Sequence, residues 1–345
     1  MNSDTQRNLF FSRAIQSVDA RTWLEIGCGA EALLSSMVLS RNDTRVFALE
    51  VNQESARRAS RALASQPLFA GRFEVRNLHS RDLPREKAAR SPEAVLFELF
   101  GPVASSEGVV ETMNFIRKQL STPNNVTFIP QCASTCIVPV TLDVQTLSSA
   151  WRDVDELYVS PKMLLARRFD FATNSLTGTD VALLERLDFQ ASRIKTKQEH
   201  ETTLPVSQTG VLRGFAAYIT LIAPAPSRKR PRQRWPSCQY EEIPENFLWT
   251  SSNASDNSYS RNWRNPIFLL SKPTRVEAGS RLRILATAFL ADRRPSYHVH
   301  CSVLTKRGAV VDLEEVRISF DDFYPTFTEL VPLPARSPSA TPRRR

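Results

Sequence analysis

Two rhythms of apolar and polar residues divide this chain. Up to about residue 138, short apolar runs alternate with stretches of helical spacing. Residues 4–20 place Leu9, Phe10, Ala14, Ile15 and Val18 on one helical face, with Asp4 as a candidate N-cap. Strands are expected at 23–26, 45–49, 73–76 and 94–97, with helices beginning at 30–34 and covering 54–64 and 109–120. Further strands are expected at 126–129 and 133–138, on either side of Pro130. Strands separated by helices predict a parallel α/β sheet.

After about residue 139 the period shortens to two, β-branched and aromatic residues dominate, and proline becomes frequent. Strands are expected at 211–222, 267–270, 281–290 and 297–304, the last two joined as a hairpin around Asp292–Ser296. A mostly β domain, sandwich or barrel, is the expectation for this half. The predicted organisation is a Rossmann-like α/β domain over 1–138, a β domain over 139–334 and a basic tail over 335–345. Residues 151–190 interrupt the β pattern with aromatic and Leu-rich pieces and form a candidate arm. Loops are expected at 224–235 and 250–260.

Composition changes this picture in two places. The net charge of +9 comes from two segments, 227–234 with five Lys or Arg and 335–345 with four, neither carrying an acid. The remaining body balances 36 basic against 36 acidic residues. The excess is read as solvated loop and tail, and nucleic acid is not the expected partner. The five cysteines, at 28, 132, 136, 238 and 301, are scattered without metal-ligand spacing. No metal is expected, and a reducing cytoplasm, or the nucleus, is the expected compartment. No apolar run reaches the ~20 residues of a membrane span and no signal peptide is visible, so no membrane partner is expected.

Candidate chemistry lies at the ends of the first-half strands. The strand at 23–26 runs into Gly27-Cys28-Gly29 and then a helix, a layout in which glycines admit a ligand close to free N–H groups. Glu50 closes the second strand 21 residues after Gly29, where an acid can accept both ribose hydroxyls of an adenosine cofactor. Glu31 stands where many such loops carry a third glycine. It either favours the helix dipole or crowds the ligand. His79 and Ser80 follow the third strand, where an adenine edge would be read.

The stretch Phe97–Glu107, FELFGPVASSE, places Glu98 and Glu107 nine residues apart across a strand end and the following loop. Two carboxylates facing one pocket suit a planar cation with several N–H donors, and guanidinium is the natural candidate. They would repel an anionic substrate.

Together these stretches resemble the protein arginine methyltransferase family over most of the chain. Asp4–Asn8 with Phe10-Phe11 resembles the helix that folds over the cofactor. Glu25 through Gly29, with Glu50, resembles the cofactor signature, and Glu98 through Gly108 resembles the family's double-E loop. Val211–Ile222, Asn262-Trp263, Pro266–Leu270 and Val276–Gly279 resemble its barrel. The resemblance implies a Rossmann-like methyltransferase domain followed by a β-barrel, binding S-adenosyl-L-methionine and methylating arginine in a protein or peptide. Arg7 would pair with the methionine carboxylate, Glu25 would orient the turn, and Gly27, Gly29, Glu50 and Ser80 would line the cofactor. Glu98 and Glu107 would clamp the guanidinium, and Trp263 would wall the pocket. A head-to-tail homodimer through the arm is the implied assembly. The family's Thr-His-Trp loop reads Arg261-Asn262-Trp263 here, without its His, and its acid near the adenine has no clear match. The alternative is a pseudo-methyltransferase that serves as a binding or scaffold protein.

Overall fold

The computed structural model describes residues 4–83, 89, 91–141, 159–160, 163–166, 171–225, 248–251, 265–291 and 294–320. Five strands, β1 (Thr22–Ile26), β2 (Arg45–Glu50), β3 (Phe73–Asn77), β4 (Ala94–Phe97) and β5 (Thr127–Ile129), form a parallel sheet in the order β3-β2-β1-β4-β5. β1, β2 and β4 are buried almost throughout. Continuous apolar runs of this kind belong to a sheet covered on both faces. Helices α1 (Thr5–Ser17), α2 (Leu33–Leu39), α3 (Gln53–Ala64) and α4 (Val109–Gln119) accompany it. α1 starts where the Asp4 side chain accepts the Arg7 backbone N–H at 3.1 Å, a side-chain cap that satisfies one of the free donors of the first turn. Its face of Phe10, Phe11, Ala14 and Ile15 is buried.

The second part is antiparallel. One sheet runs β7-β8-β13-β11-β6-β9, from β6 (Cys132–Val140), β7 (Val159–Ser160), β8 (Met163–Ala166), β9 (Ala182–Asp188), β11 (Gly210–Ile222) and β13 (Asn265–Val276), with β12 (Leu248–Thr250) paired to β11. The other runs β10-β14-β15-β16, from β10 (Lys197–Pro205), β14 (Arg281–Phe289), β15 (Ser296–Leu304) and β16 (Val310–Asp312), with β17 (Val316–Ser319) paired to β15. The expected hairpin is present, with Phe289 opposite Ser296. β14 alternates strictly, with Leu282, Ile284, Ala286 and Ala288 inward. The fold is a Rossmann-like sheet followed by a β-barrel-like domain.

The described pieces of 151–190 include β7, β8, the short helix α5 (Phe171–Asn174) and β9, and the three strands belong to the barrel sheet. Residues 151–158, 161–162 and 167–170 of that candidate arm, Trp263 and both basic segments lie outside the described residues.

The two parts meet through aromatic packing and two polar clamps. Phe97 and Phe100 pack on Phe189 at 4.8 and 6.1 Å between ring centroids. Asn114 of α4 both accepts from and donates to the Ile194 backbone, at 2.9 and 3.2 Å. Arg117 donates to the Phe189 carbonyl, with its guanidinium 4.4 Å from the Phe128 ring centroid.

Candidate active site

Register decides what stands side by side at the sheet's carboxyl edge. Ile26 pairs with Leu49 on one side and Phe97 on the other. The next residues of these strands are therefore Gly27, Glu50 and Glu98, in one row. The strand order reverses at β1, and such a switch point opens a crevice outside the strand ends.

The glycine loop folds back over β2, with the Gly27 and Cys28 N–H groups donating to the Leu49 carbonyl at 2.8 and 3.2 Å. Gly27 and Gly29 both take the left-handed conformation. A Cβ at Gly29 would meet nothing within 4 Å, so the loop faces open space there. Glu50 holds the loop in shape. One carboxylate oxygen accepts from Gly29 N and the other from Asn52 N, each at 2.9 Å. Each oxygen keeps a further lone pair. Glu25, buried beneath the loop, accepts from the Ser35 hydroxyl of α2. Burial pushes its carboxyl up to about 7, against the opposing hydrogen bonds from Ser35. Burial also pushes the Cys28 thiol far up, so it carries no thiolate.

The helix expected to begin at Ala30–Leu34 starts at Leu33, because Ala32 is held left-handed at φ 45°. Glu31 therefore precedes the helix instead of opening it. Its carboxylate pairs with Arg58 of α3 at 2.6 Å, both side chains about half exposed (54% each). Ser80 is buried in a short turn after β3 whose start is capped by His79, Nδ1 accepting from Arg81 N at 3.1 Å. Glu111 pairs with Arg81 on the surface.

Helix α1 brings Arg7 to Glu98. The guanidinium donates to Glu98 Oε2 at 2.5 Å and to Asn8 Oδ1 at 2.9 Å, and lies 5.3 Å from the Phe11 ring centroid. Its Nε is buried without a partner among the described residues. A buried N–H left over on a guanidinium that stands at the strand end with Glu98 is what a ligand carboxylate would satisfy, and in this the residues fit S-adenosylmethionine.

Burial raises the Glu98 carboxyl, with Arg7 opposing. Glu107 lies just before Gly108, the left-handed residue that opens α4. Its side chain is exposed to solvent at one side. Desolvation, then the neighbouring Glu98 charge, push its carboxyl up to about 7. The structure thus brings Arg7, Glu25, Gly27, Gly29, Glu50, Ser80, Glu98 and Glu107 to one end of the parallel sheet. Sequence reasoning assigned no individual role to Asn8, Ser35 or the barrel groups behind the 98–107 loop, and none of these carries a local signal; the Asp4 cap that starts α1 at Arg7 was legible. Among the described residues no cluster of His, Cys, Asp or Glu could hold a metal ion, and no helix is long and apolar enough to cross a membrane.

No protein-family model matches the chain. Its fold is that of protein arginine methyltransferases. One similar solved structure is the PRMT1 enzyme–prozyme heterotetrameric complex of Trypanosoma brucei with AdoHcy, at TM-score 0.69 and 15% identity, covering 92% of this chain and 96% of that one. Another is protein arginine methyltransferase 10 of Arabidopsis thaliana in an open conformation, at TM-score 0.68 and 13% identity, with the same 92% and 96% coverage.

Proposed function

We propose that this chain methylates an arginine guanidinium nitrogen in a protein or peptide, using S-adenosyl-L-methionine. The observation that carries the reading is the pair Glu98 and Glu107: Glu98 follows β4 beside the strand from which the glycine loop departs, and its charge acts on Glu107. Fold similarity to arginine methyltransferases supports it.

S-adenosylmethionine, when bound, supplies an electrophilic methyl group. Arg7, Gly27, Gly29, Glu50 and Ser80 are assigned to holding it, with Arg7 Nε free for a carboxylate and the spare lone pairs of Glu50 for hydroxyls. Glu98 and Glu107 hold the acceptor guanidinium through paired, charge-assisted hydrogen bonds. They draw its positive charge toward two of its nitrogens and leave the third the better nucleophile. Most of the acceleration comes from this positioning and electrostatic match. Glu107, whose carboxyl lies near 7, can receive the proton the product sheds. Trp263 is assigned to the pocket wall, and a homodimer, or an assembly with a related chain, is the proposed oligomeric form.

The test is titration with S-adenosylhomocysteine followed by tritium transfer from S-adenosylmethionine onto an arginine-glycine repeat peptide, with Glu98→Gln as control. Micromolar binding and transfer that the control loses would bear the reading out. Binding without transfer to any arginine-containing acceptor would sink it in favour of a scaffold role.

A further inference from the structure

The loop between the two glutamates is held from behind by the barrel. Glu185 of β9 is fully buried, and its Oε1 accepts the Ser105 backbone N–H at 3.1 Å and the Thr135 hydroxyl at 2.6 Å. The Thr135 Oγ1, on β6, in turn accepts the Ala104 N–H at 2.9 Å. The Tyr297 hydroxyl, on β15, meets the Ser105 Oγ at 2.8 Å. Three barrel strands therefore converge on two consecutive loop residues.

We propose that Glu185 is the positioning residue of the acceptor loop, setting where Glu107 stands relative to Glu98. A carboxyl in a dry interior is costly unless it satisfies other groups. Here burial raises the Glu185 carboxyl, and the hydrogen bonds it receives from Ser105, Thr135 and Tyr297 oppose that rise. An apolar residue would fill the same space, but the Ser105 N–H would then be buried unpaired and Thr135 would lose its acceptor. Downstream of the anchor the loop is stiff. The Ser106 N–H and hydroxyl both bond the Val103 carbonyl, at 3.2 and 2.8 Å, and Gly108 N bonds Ser105 O at 3.1 Å. A shift at Ser105 is thus carried to Glu107 two residues on, and displacements near 1 Å in a positioning group are costly to rate.

This role rests on the guanidinium-clamp reading of Glu98 and Glu107, and the experiment separates the two. Amide hydrogen exchange is followed in the full chain and in Glu185→Leu, Glu185→Gln and Thr135→Val. Glu185→Leu is expected to speed exchange of peptides covering 98–108 at least tenfold. Peptides covering 22–50 and the affinity for S-adenosylhomocysteine should stay within twofold. Glu185→Gln keeps an oxygen acceptor and should restore protection. Thr135→Val should show a smaller loss, about threefold, and keeps the test available if the Leu variant does not fold. Unchanged exchange at 98–108 in both Glu185→Leu and Thr135→Val, or an equal rise throughout the barrel and the cofactor loop, would overturn the anchor. On the arginine-glycine peptide, Glu185→Leu should lose kcat at least tenfold with the KM for S-adenosylmethionine unchanged, and a variant as fast as the parent would overturn the anchor too. A parent chain that transfers no methyl while the exchange pattern holds refutes the clamp and leaves the anchor standing.

Discussion

Arg7 Nη2 stands 2.5 Å from Glu98 Oε2, with the two side chains only 4% and 6% exposed. A residue of the first helix thus closes onto the end of the central strand pair and neutralises one of the two acids assigned to the acceptor. Removing one member of a buried pair leaves an uncompensated charge and costs about 3–5 kcal/mol. Arg7→Ala is expected to lose stability on that scale at pH 8. The loss should be smaller at pH 5, because Glu98, raised by burial, moves toward its protonated form as pH falls. Affinity for S-adenosylhomocysteine should fall at least tenfold. Melting temperatures at the two pH values check this, and a variant melting within a degree of the parent at pH 8 would refute it.

Glu107 differs from Glu98 in having no ion-pair partner among the described residues. Glu107→Gln should therefore fold and bind S-adenosylhomocysteine as the parent does. It should lose methyl transfer by about a hundredfold or more, since charge stabilisation of the reacting group is often the largest single contribution to rate. Isothermal titration beside a transfer assay reads both quantities. A proportional loss of cofactor affinity would mean that Glu107 shapes the cofactor site and not the acceptor site.

The position of Glu107 near 7 gives a sign to the pH dependence. Below that value the free carboxyl is protonated and cannot balance a guanidinium cation. Acceptor kcat/KM should rise about tenfold per pH unit up to 7 and level off above it. Stability should move the other way. Glu25 and Glu107 both lie near 7 in the folded chain, above their ordinary value of 4.5, so the folded state binds more protons between those limits. Stability then falls as pH rises through that window. Glu107→Gln should remove the activity slope and flatten the stability slope. A parent profile flat down to pH 6 would contradict the assignment.

How far the sequence could be read depended on whether the signal was local. The Asp4 cap, the glycine turn, the acid closing β2 and the nine-residue spacing of Glu98 and Glu107 are short-range features with a direct physical reading. The hairpin of β14 and β15 was legible because alternation with period two survives where one face is buried. Pairing across distance was not. Nothing local says that Arg7 meets Glu98 or that Glu185 supports Ser105, because both contacts depend on how helix and barrel pack. β6 is buried along its whole length, so it has no alternation to show which sheet it joins. Ala32 is a further case: an alanine in left-handed backbone delays the helix start, and no residue preference announces it.

Gly214 tests the barrel. β11 changes register against β13 between Leu212 and Gly214, and a Cβ added at Gly214 would land on the Phe268 carbonyl. That neighbour is backbone in a paired strand and cannot turn aside. Gly214→Ala should destabilise by about 3 kcal/mol or more, as overpacking that forces backbone shifts does. Gly29→Ala would touch no neighbour but is strained by its left-handed backbone, and should cost only about 1–2 kcal/mol. Denaturant melts of the two variants distinguish them, and equal losses would contradict the close approach.

The last prediction concerns Glu31, the apparent defect of the glycine loop. Its carboxylate is engaged by Arg58 on the surface of α3, and both side chains are about half exposed. Exposed pairs of this kind contribute at most about 1 kcal/mol. If Glu31 were crowding the cofactor, replacing it with glycine would raise affinity sharply. From its position beside α3, Glu31→Gly should instead leave S-adenosylhomocysteine affinity within twofold and lower stability slightly. Arg58→Ala should give a similar stability change without touching the loop. Titration of all three chains decides the matter. A tenfold gain in affinity for Glu31→Gly would mean that the carboxylate leaves Arg58 and reaches the cofactor when one is bound.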